Sequence, residues 1–276
     1  MIPRRIVLCA DDYGLAPGVN AAIRDLLVRG RINATSVMVH PPSFDREAAQ
    51  ALAEAAAAHG ASIGLHVTLT APFRPLVPGF APLREGAFRP VGATLAAAML
   101  RRFEPNALRA EIEAQFDLFE NAFGRAPDHV DGHQHVHLFP QVRDAVLAAV
   151  QAHAPRAWVR QCGAVRLDAM QLRNPKALLI GVLSRTFRSR AAALGIATNP
   201  AFSGSYVFSP AADFPRLFPG FLDGLPERAV VMCHPGTVDP ELERLDPLTT
   251  SREQEYAYFI GERFPAALAT ANVTVL

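Results

Sequence analysis

Two adjacent carboxylates follow a short apolar run near the start of the chain. Residues 9–20 read CADDYGLAPGVN, so that Asp11 and Asp12 come directly after the β-rich run RIVLCA. Neighbouring side chains in a regular strand point to opposite faces, which would separate the two acids. If the strand ends at Ala10, a turn towards Gly14 can aim both carboxylates at one site. We expect that arrangement, in which the two acidic groups divide the work of a single site.

A histidine-rich stretch in the middle of the chain is a candidate metal site. The segment DHVDGHQHVHLFP places four imidazoles around Asp131, and imidazole is the commonest metal ligand in proteins. The alternative is a polar, solvated loop in which histidines alternate by chance. Since one ion cannot take all four rings, His133 is favoured over His135 and His137, because it stands at the expected end of a strand.

Two more histidines interrupt apolar segments. His66 lies in IGLHVTLT, where the alternative to a ligand is a core histidine with a satisfied hydrogen bond. Two imidazoles and a carboxylate with open positions for water are typical of a catalytic metal site, since four protein ligands close a structural zinc site. His234 lies in VVMCHPGTVD and is either a strand-end residue bonded to backbone or a general acid or base. Cys9 and Cys233 are interpreted as core side chains that face away from the site.

The elements that must position these groups alternate along the chain. About eight β-rich runs alternate with helical ones, which predicts a parallel sheet with helices outside it. Functional groups gather at the C-terminal ends of the strands in such folds. The polar residues that fall there are Asp11, Asp12, His66, Asp131, His133, Arg160 and His234. The pattern also predicts a long loop over 71–92, a helix over 105–124 and a last helix from Thr250.

Composition and charge narrow the class of protein. The chain has 276 residues, half of them apolar, and a formal net charge of +1, so nothing indicates a nucleic-acid partner. Three widely spaced cysteines argue against a disulfide framework and favour a cytoplasmic location. No apolar run approaches the ~20 residues of a membrane-spanning helix, so we expect a soluble protein. Homo-oligomerisation stays open.

The order of the motifs resembles that of the YdjC-like carbohydrate deacetylases, which include chitooligosaccharide deacetylase and the deacetylases associated with hopanoid biosynthesis. The matching stretches are ADDYGLAPGVNAAIRDLLVRGRINATSVMV, GLHVTLT, FGRAPDHVDGHQHVHLFP, VMCHPG and the R-x-x-E-type stretch SREQEYAYF. The resemblance implies an α/β fold, an irregular (β/α) barrel of the glycoside hydrolase/deacetylase type, over a single domain at 1–276. It also implies hydrolysis of an N-acetyl group from an acetylated amino sugar, which releases acetate.

The resemblance further implies roles for individual residues. Asp12, His66 and His133 look like the metal ligands, Asp11 like the catalytic base, and His234 like the histidine near the leaving amine. The usual D-S-H-H-H-V-H reads DGHQHVH here, which keeps the first histidine in place. The family's metal is usually taken as Mg²⁺, whereas the softness of two imidazoles suits Zn²⁺ or another transition metal at least as well.

Substrate contacts are predicted from position alone. Arg160 is grouped with the substrate-binding residues and is expected to orient Asp11, with a surface ion pair as the alternative. Phe73, Phe202 and Tyr206 are candidates for stacking on a sugar ring, with a place in the core as the alternative.

Two further alternatives concern partners and function. The stretch LLIGVLSRTFRSRAAALG carries Arg185, Arg188 and Arg190 and is predicted to be an outer barrel helix with a solvated basic face, with peripheral membrane contact as the alternative. One rival function is that of another kind of metal-dependent hydrolase, such as a phosphoesterase, which would need more carboxylates at the strand ends. A sugar-binding protein that has lost catalysis is the other, and no defect in the candidate residues supports it.

Overall fold

Parallel strands form the centre of the molecule, and helices connect most successive strands. The computed structural model describes residues 2–40, 42–163, 175–209 and 211–275. The described strands are β1 (Arg4–Tyr13), β2 (Ala34–Val37), β3 (Ser62–Val67), β4 (His129–Gly132), β5 (Trp158–Val159), β6 (Phe202–Ser203), β7 (Val230–Cys233) and β8 (Val273–Val275). The described helices are α1 (Pro17–Val28), α2 (Arg46–Ala57), α3 (Val91–Met99), α4 (Pro105–Phe123), α5 (Val142–His153), α6 (Pro175–Ala193), α7 (Phe214–Phe221), α8 (Pro240–Leu245), α9 (Thr250–Ile260) and α10 (Arg263–Ala271). A 3₁₀ segment, His133–Leu138, follows β4.

The strand order creates one edge at which β1–β7 end. The strands pair in the order β5-β4-β3-β2-β1-β7-β6, and each of these pairings is parallel. β8 pairs with the first residues of β1, also in parallel. The C-terminal ends of β1–β7 therefore meet at one edge, which we call the barrel mouth. The expected fold class, an α/β irregular barrel, is confirmed.

A side chain connects the two ends of this strand path. Asn199 is buried between β5 and β6; its Oδ1 accepts a hydrogen bond from the Gln161 N–H at 2.8 Å. Its Nδ2 donates to the carbonyls of Gln161 at 3.0 Å and Ala201 at 2.8 Å. Because Gln161 lies just after β5 and Ala201 just before β6, Asn199 replaces ladder hydrogen bonds where the barrel is irregular.

The best-defined helix follows from its sequence pattern. α4 begins after Glu104, whose carboxylate accepts hydrogen bonds from two backbone N–H groups of the first turn, as an N-cap does. It ends at Gly124, whose φ of 66° suits glycine. Its buried face contains the apolar stripe Leu108, Ile112, Phe116 and Phe119. The helix predicted over 105–124 is confirmed to within one residue.

Two segments differ from the prediction. The irregular stretch that begins at 71 ends at 90, and α3 follows it, a helix that the sequence pattern did not predict. Only Thr94, Ala97 and Ala98 are buried in α3, so its small residues give no clear apolar stripe. The last predicted helix is two helices, α9 and α10, because the chain becomes extended at Gly261.

The basic helix lies on the outside of the barrel. α6 buries Leu183, Phe187 and Ala191, which recur every four residues and form one stripe. Its arginines at 185, 188 and 190 are exposed, as the outer-helix interpretation predicts. Within the described residues, no helix combines the length and the apolar character needed to cross a bilayer.

Candidate active site

A bulge in β1 brings the two adjacent aspartates to one side. Ala10 pairs with Thr35 and Tyr13 with Val37, so two residues of β1 stand opposite one residue of β2. Asp12 has a φ of 69°, in the left-handed region, which turns the chain locally. The expectation that β1 ends at Ala10 is therefore wrong, since the strand continues to Tyr13. The bulge nevertheless directs both carboxylates towards one site, which is what an end of the strand at Ala10 was expected to do.

Asp12 meets two imidazoles at the barrel mouth. Its Oδ1 is 2.9 Å from His133 Nδ1 and 3.2 Å from His66 Nε2. One ligand atom from each of these residues lies within 4.8 Å of the other two. Asp12 and His66 are buried, and His133 retains a small exposed fraction. The structure therefore brings together the three residues that the sequence predicted as metal ligands.

The surroundings of His66 make this group suitable for a cation. Asp131 Oδ1 lies 2.6 Å from His66 Nδ1, so Nδ1 donates its hydrogen there, and Nε2 faces Asp12 with a proton that a metal ion can replace. Two lone pairs at 3.2 Å repel each other unless positive charge lies between them. Carboxylate–histidine pairs of this kind commonly support metal ligands. The donor set therefore fits a divalent metal.

Charges around the ligand atoms shift two pKa values. Burial would raise the pKa of Asp12, but His133 and Arg252 hold it well below its usual range. Burial would lower the pKa of His66, but Asp131 and the hydrogen bond to Asp12 raise it to about 10. Both shifts show that the pocket stabilises positive charge. A cation competes with protons for the same lone pairs, so its binding would release protons.

Arg160 forms a buried ion-pair cluster with two other acids. Its Nη1 and Nη2 donate to Asp11 Oδ2 at 2.6 Å and Oδ1 at 2.7 Å, and Nη2 lies 2.6 Å from Asp131 Oδ2. Because Arg160 is 0% exposed, it has no surface for substrate. The prediction that Arg160 binds substrate is therefore not supported. Its two hydrogen bonds to Asp11 agree with the prediction that Arg160 orients this carboxylate.

The three other histidines of the rich stretch have different surroundings. His137 is buried, and its Nε2 lies 2.8 Å from the Arg160 carbonyl, which anchors the segment after β5. His135 is partly exposed at the mouth; its Nδ1 lies 3.5 Å from Cys162 Sγ, and its φ of 61° is left-handed. His129 lies between Cys9 and the stacked ring of Trp158. Only His133 of this stretch joins the Asp12 and His66 group.

His234 follows β7 at the same mouth. Its backbone N–H donates to Glu255 Oε2, and its ring meets the Phe208 ring edge-on at 5.0 Å between centroids. Ring atom Nδ1 is buried without a hydrogen-bond partner. Burial lowers the pKa of His234 to about 4, so the ring is neutral near pH 7. A proton donor at this position must first take up a proton.

Comparison with known proteins identifies the family of the chain. The family model described as YdjC-like protein matches residues 5–270. The chain is a YdjC-like protein. It is 30% identical over 278 residues to a chitooligosaccharide deacetylase of Escherichia fergusonii, covering 94% of this chain and 95% of the relative. It is 29% identical over 255 residues to a human carbohydrate deacetylase, covering 84% of this chain and 75% of the relative.

A solved structure shows the same fold. A putative cellobiose-phosphate cleavage protein from Enterococcus faecalis superposes with a TM-score of 0.75 at 19% identity, covering 99% of this chain and 97% of that one. The family match over residues 5–270 confirms the resemblance seen in the sequence, and the relatives confirm the expectation that this YdjC-like protein is a hydrolase.

Four residues at the barrel mouth of this YdjC-like protein make contacts that the sequence did not predict. Ser36 Oγ lies 3.2 Å from Asp11 Oδ1 and 3.0 Å from His66 Nδ1. Asp131 was noted as a strand-end acid, and its bond to His66 could be found only in three dimensions. The other two residues, Arg252 and Glu255, lie on α9 within the quoted R-x-x-E stretch, where their spacing was a visible signal.

The predicted aromatic contacts lie mostly in the core. Phe73 and Phe202 are 6% and 3% exposed, so neither ring offers a free face for a sugar. Phe73 packs against His133, and Arg160 lies over the Phe202 ring at 6.0 Å. Stacking on these two rings is therefore not supported. Tyr206 is partly exposed, and its hydroxyl donates to Glu255 Oε1 at 2.6 Å.

The cysteines behave as core side chains. Cys9, Cys162 and Cys233 are free and buried, and burial raises the pKa of each thiol. Cys9 also lies with His129 and Asp131 in a group that could geometrically hold an ion. A thiolate is the form that binds metal, so this deeper group is a poor metal site.

Proposed function

We propose that this protein is a divalent-metal-dependent N-deacetylase of an acetylated amino sugar, either an oligosaccharide or a glycolipid. The observation that carries the proposal is the convergence of Asp12, His66 and His133 at the barrel mouth, next to Asp11. The names of the relatives supply the substrate class, since both curated relatives are named for deacetylation of carbohydrates.

Asp11 and His234 divide the proton transfers. Asp11 accepts a proton from the attacking water, and Arg160 fixes the plane of its carboxylate through two hydrogen bonds. His234, neutral near pH 7 because burial lowers its pKa to about 4, takes up a proton from solvent and delivers it to the departing amine, while Asp11 returns the proton of the attacking water to solvent. Acetate and a free amino sugar are the products.

Asp12, His66 and His133 would hold the metal. When bound, a divalent cation at this position polarises the acetamide carbonyl and lowers the pKa of a water molecule. The family resemblance favours Mg²⁺, whereas two nitrogen donors and one carboxylate oxygen favour Zn²⁺ or a similar transition metal. The donor chemistry leads us to propose a transition metal.

The ion pairs that Arg160 forms with Asp11 and Asp131 argue against a two-metal phosphoesterase. Asp11, His66 and Asp131 form a second group with metal-ligand geometry. Both carboxylates of that group already pair with Arg160, whose positive charge repels a second cation. One metal therefore fits this mouth better than two.

Acetate release tests the proposal. The purified protein is stripped with a chelator, reconstituted with Mg²⁺, Zn²⁺, Co²⁺ or Mn²⁺, and assayed on a panel of N-acetylated glycans. We expect acetate and free amine in equal amounts, only after reconstitution. Full activity of the metal-free protein would overturn the metal scheme, and phosphate release from model esters without acetate would favour the phosphoesterase. Glycan binding without turnover in any metal form would favour the sugar-binding alternative.

Location and surface contacts are further parts of the proposal. We propose a cytoplasmic location, in keeping with the three free cysteines. The exposed arginines of α6 are proposed to face solvent rather than a membrane. Flotation with liposomes of zwitterionic lipid, with and without an anionic lipid, tests this, because binding that depends on anionic lipid would favour peripheral contact.

A further inference from the structure

Helix α9 places two buried charged side chains one turn apart beneath the barrel mouth. Arg252 and Glu255 are 1% and 0% exposed, and their spacing of three residues puts them on one face of the helix. Charged side chains are rarely this buried unless they are paired. Arg252 forms hydrogen bonds with one part of the proposed site, and Glu255 forms hydrogen bonds with another.

Arg252 holds one oxygen of the proposed ligand Asp12. Its Nη2 donates to Asp12 Oδ2 at 2.6 Å and to Asp246 Oδ2 at 2.6 Å, and its Nε donates to the Leu248 carbonyl at 3.1 Å. The other oxygen of Asp12, Oδ1, faces His66 and His133. The guanidinium therefore leaves a single carboxylate oxygen pointing towards the two imidazoles.

Glu255 holds the backbone that carries His234. One carboxylate oxygen accepts from the His234 backbone N–H, and the other accepts from the Tyr206 hydroxyl at 2.6 Å. Burial raises the pKa of Glu255 to about 7. Both oxygens are used within the protein, so the side chain has no free atom for substrate.

The turn after His234 also rests on α9. The Gly236 N–H donates to the Arg252 carbonyl at 3.1 Å. A Cβ on Gly236 would lie 3.1 Å from a methyl of Val19 and 3.4 Å from the Arg252 side chain, so the turn and the helix are in close contact. The Cys-His-Pro-Gly turn is therefore fixed to α9 at two points, through His234 and Gly236.

We propose that α9 positions both halves of the site: Arg252 sets the orientation of the ligand Asp12, and Glu255 sets the position of His234. This inference deepens the proposed function and rests on it for the roles of Asp12 and His234. Arg252 and Glu255 are positioning residues, since neither has an exposed atom with which to contact substrate. The two residues should affect different measurements, because one acts on metal binding and the other on turnover.

Arg252 is tested by metal affinity. Apo protein is titrated calorimetrically with Zn²⁺ and with Mg²⁺, in wild type, Arg252→Lys and Arg252→Met. We expect Arg252→Met to weaken the tighter-bound metal about 10- to 100-fold, the range for residues that orient ligands. Arg252→Lys should recover most of that loss, because an ammonium can donate to both Asp12 and Asp246.

The sign of the Arg252→Met effect decides between two explanations. If Arg252 acted only through its charge, removing a positive group beside the site would tighten cation binding. Unchanged or tighter binding in Arg252→Met would therefore overturn the positioning role. Glu253→Gln, an exposed substitution on the same helix, is the matched control and should match wild type.

Glu255 is tested by hydrogen exchange and by kinetics, with Glu255→Gln and Glu255→Ala. A glutamine oxygen can accept from the His234 N–H while its amide donates to the Tyr206 oxygen, so Glu255→Gln keeps the geometry. Glu255→Ala removes both bonds, and we expect exchange of the His234 amide to rise at least ~10-fold, the equivalent of one lost hydrogen bond. Its kcat should fall at least ~10-fold, in line with the loss of a positioned proton donor, with metal affinity unchanged.

The outcomes separate this inference from the proposed function. An equal loss of kcat in Glu255→Gln and Glu255→Ala would show that the charge matters rather than the position, and would overturn the inference. So would an unchanged exchange rate of the His234 amide in Glu255→Ala. Metal titration and amide exchange need no turnover, so an inactive wild type would refute deacetylation and still decide both positioning roles.

Discussion

Arg160 donates hydrogen bonds to both carboxylate oxygens of Asp11, with Nη1 2.6 Å from Oδ2 and Nη2 2.7 Å from Oδ1. The same Nη2 reaches Asp131, which in turn holds His66. One buried guanidinium thus connects the proposed base to the residue that supports a proposed metal ligand. The cluster joins β1, β3, β4 and the residue after β5, so it bears on stability as well as on chemistry.

Arg160→Met should destabilise the protein strongly. The substitution leaves Asp11 and Asp131 buried without their cation, and removal of one partner from a buried ion pair costs about 3–5 kcal/mol. Urea unfolding measures the loss. Arg125→Met is the control, because Arg125 makes a similar two-point pair with Asp128 on the surface, where such pairs contribute about 1 kcal/mol or less. Equal losses in the two variants would show that burial of the Arg160 cluster is not what matters.

Asp11→Asn should separate turnover from metal binding. Asparagine keeps the size of the side chain but cannot accept the proton of water, so kcat should fall about 10²- to 10⁴-fold, the usual contribution of a general base. The metal content, measured by mass spectrometry of the purified protein, should match wild type. Loss of the metal in Asp11→Asn would instead place Asp11 among the ligands.

His133→Ala should lose both metal binding and turnover. The variant removes the imidazole whose Nδ1 lies 2.9 Å from Asp12, which leaves two protein donors of the proposed three. We expect weaker metal binding by calorimetry together with loss of acetate release. His135→Ala is the comparison, since His135 lies two residues away and outside the metal-ligand groups of the described residues. It should keep the metal, and equal loss in both variants would contradict the ligand assignment.

The metal-free protein should lose stability as the pH falls below about 6.5. Burial lowers the pKa of His129, His137 and His234 to about 4 each, whereas an unfolded histidine titrates near 6.5. Between these values the unfolded chain binds protons on these three histidines that the folded chain does not. Glu255, whose folded pKa of about 7 gives the folded chain one extra proton, offsets only one of them, so acid favours unfolding. Asp12, whose folded pKa is lowered, still contributes fully in this window and loses its contribution only at lower pH.

The size of that effect follows from the number of protons. Each histidine that stays neutral in the fold costs up to about 1.4 kcal/mol per pH unit in this window. Urea unfolding in the presence of a chelator, at half-unit steps from pH 7 to pH 4.5, measures the slope. His137→Gln, whose amide can still donate to the Arg160 carbonyl, should reduce the slope by about one proton. A free energy of unfolding that stays flat from pH 6.5 to 5 would contradict these pKa shifts.

The barrel mouth could be predicted from sequence because it depends on local pattern and on one general rule. Polar residues that interrupt apolar strands were expected at the strand ends, and Asp12, His66 and His133 lie together there. The rule works since parallel strands end at one edge whatever their order in the sheet. It needs no knowledge of which strands are neighbours.

Features that depend on pairing or on distant helices could not be predicted in the same way. The bulge at Asp11 and Asp12 exists only against the register of β2. Arg252 reaches Asp12 across 240 residues of chain, and nothing local to α9 indicates that partner. Helix α3 was missed because its small residues give no apolar periodicity.

Asn199→Ala should loosen the barrel where β5 and β6 are not paired. The asparagine side chain makes three hydrogen bonds to backbone there, one from the Gln161 N–H and two to the carbonyls of Gln161 and Ala201. Alanine leaves these buried groups without partners, at about 1–3 kcal/mol for each group that water cannot reach. The free energy of unfolding should therefore fall by at least ~2 kcal/mol, and amide exchange should rise around 161 and 201 before it rises in β1. Asn199→Asp is the comparison, because it keeps the acceptor for the Gln161 N–H but lacks the donors. If the free energy of unfolding fell in both variants by no more than it does for a surface substitution, Asn199 would not stabilise this part of the barrel.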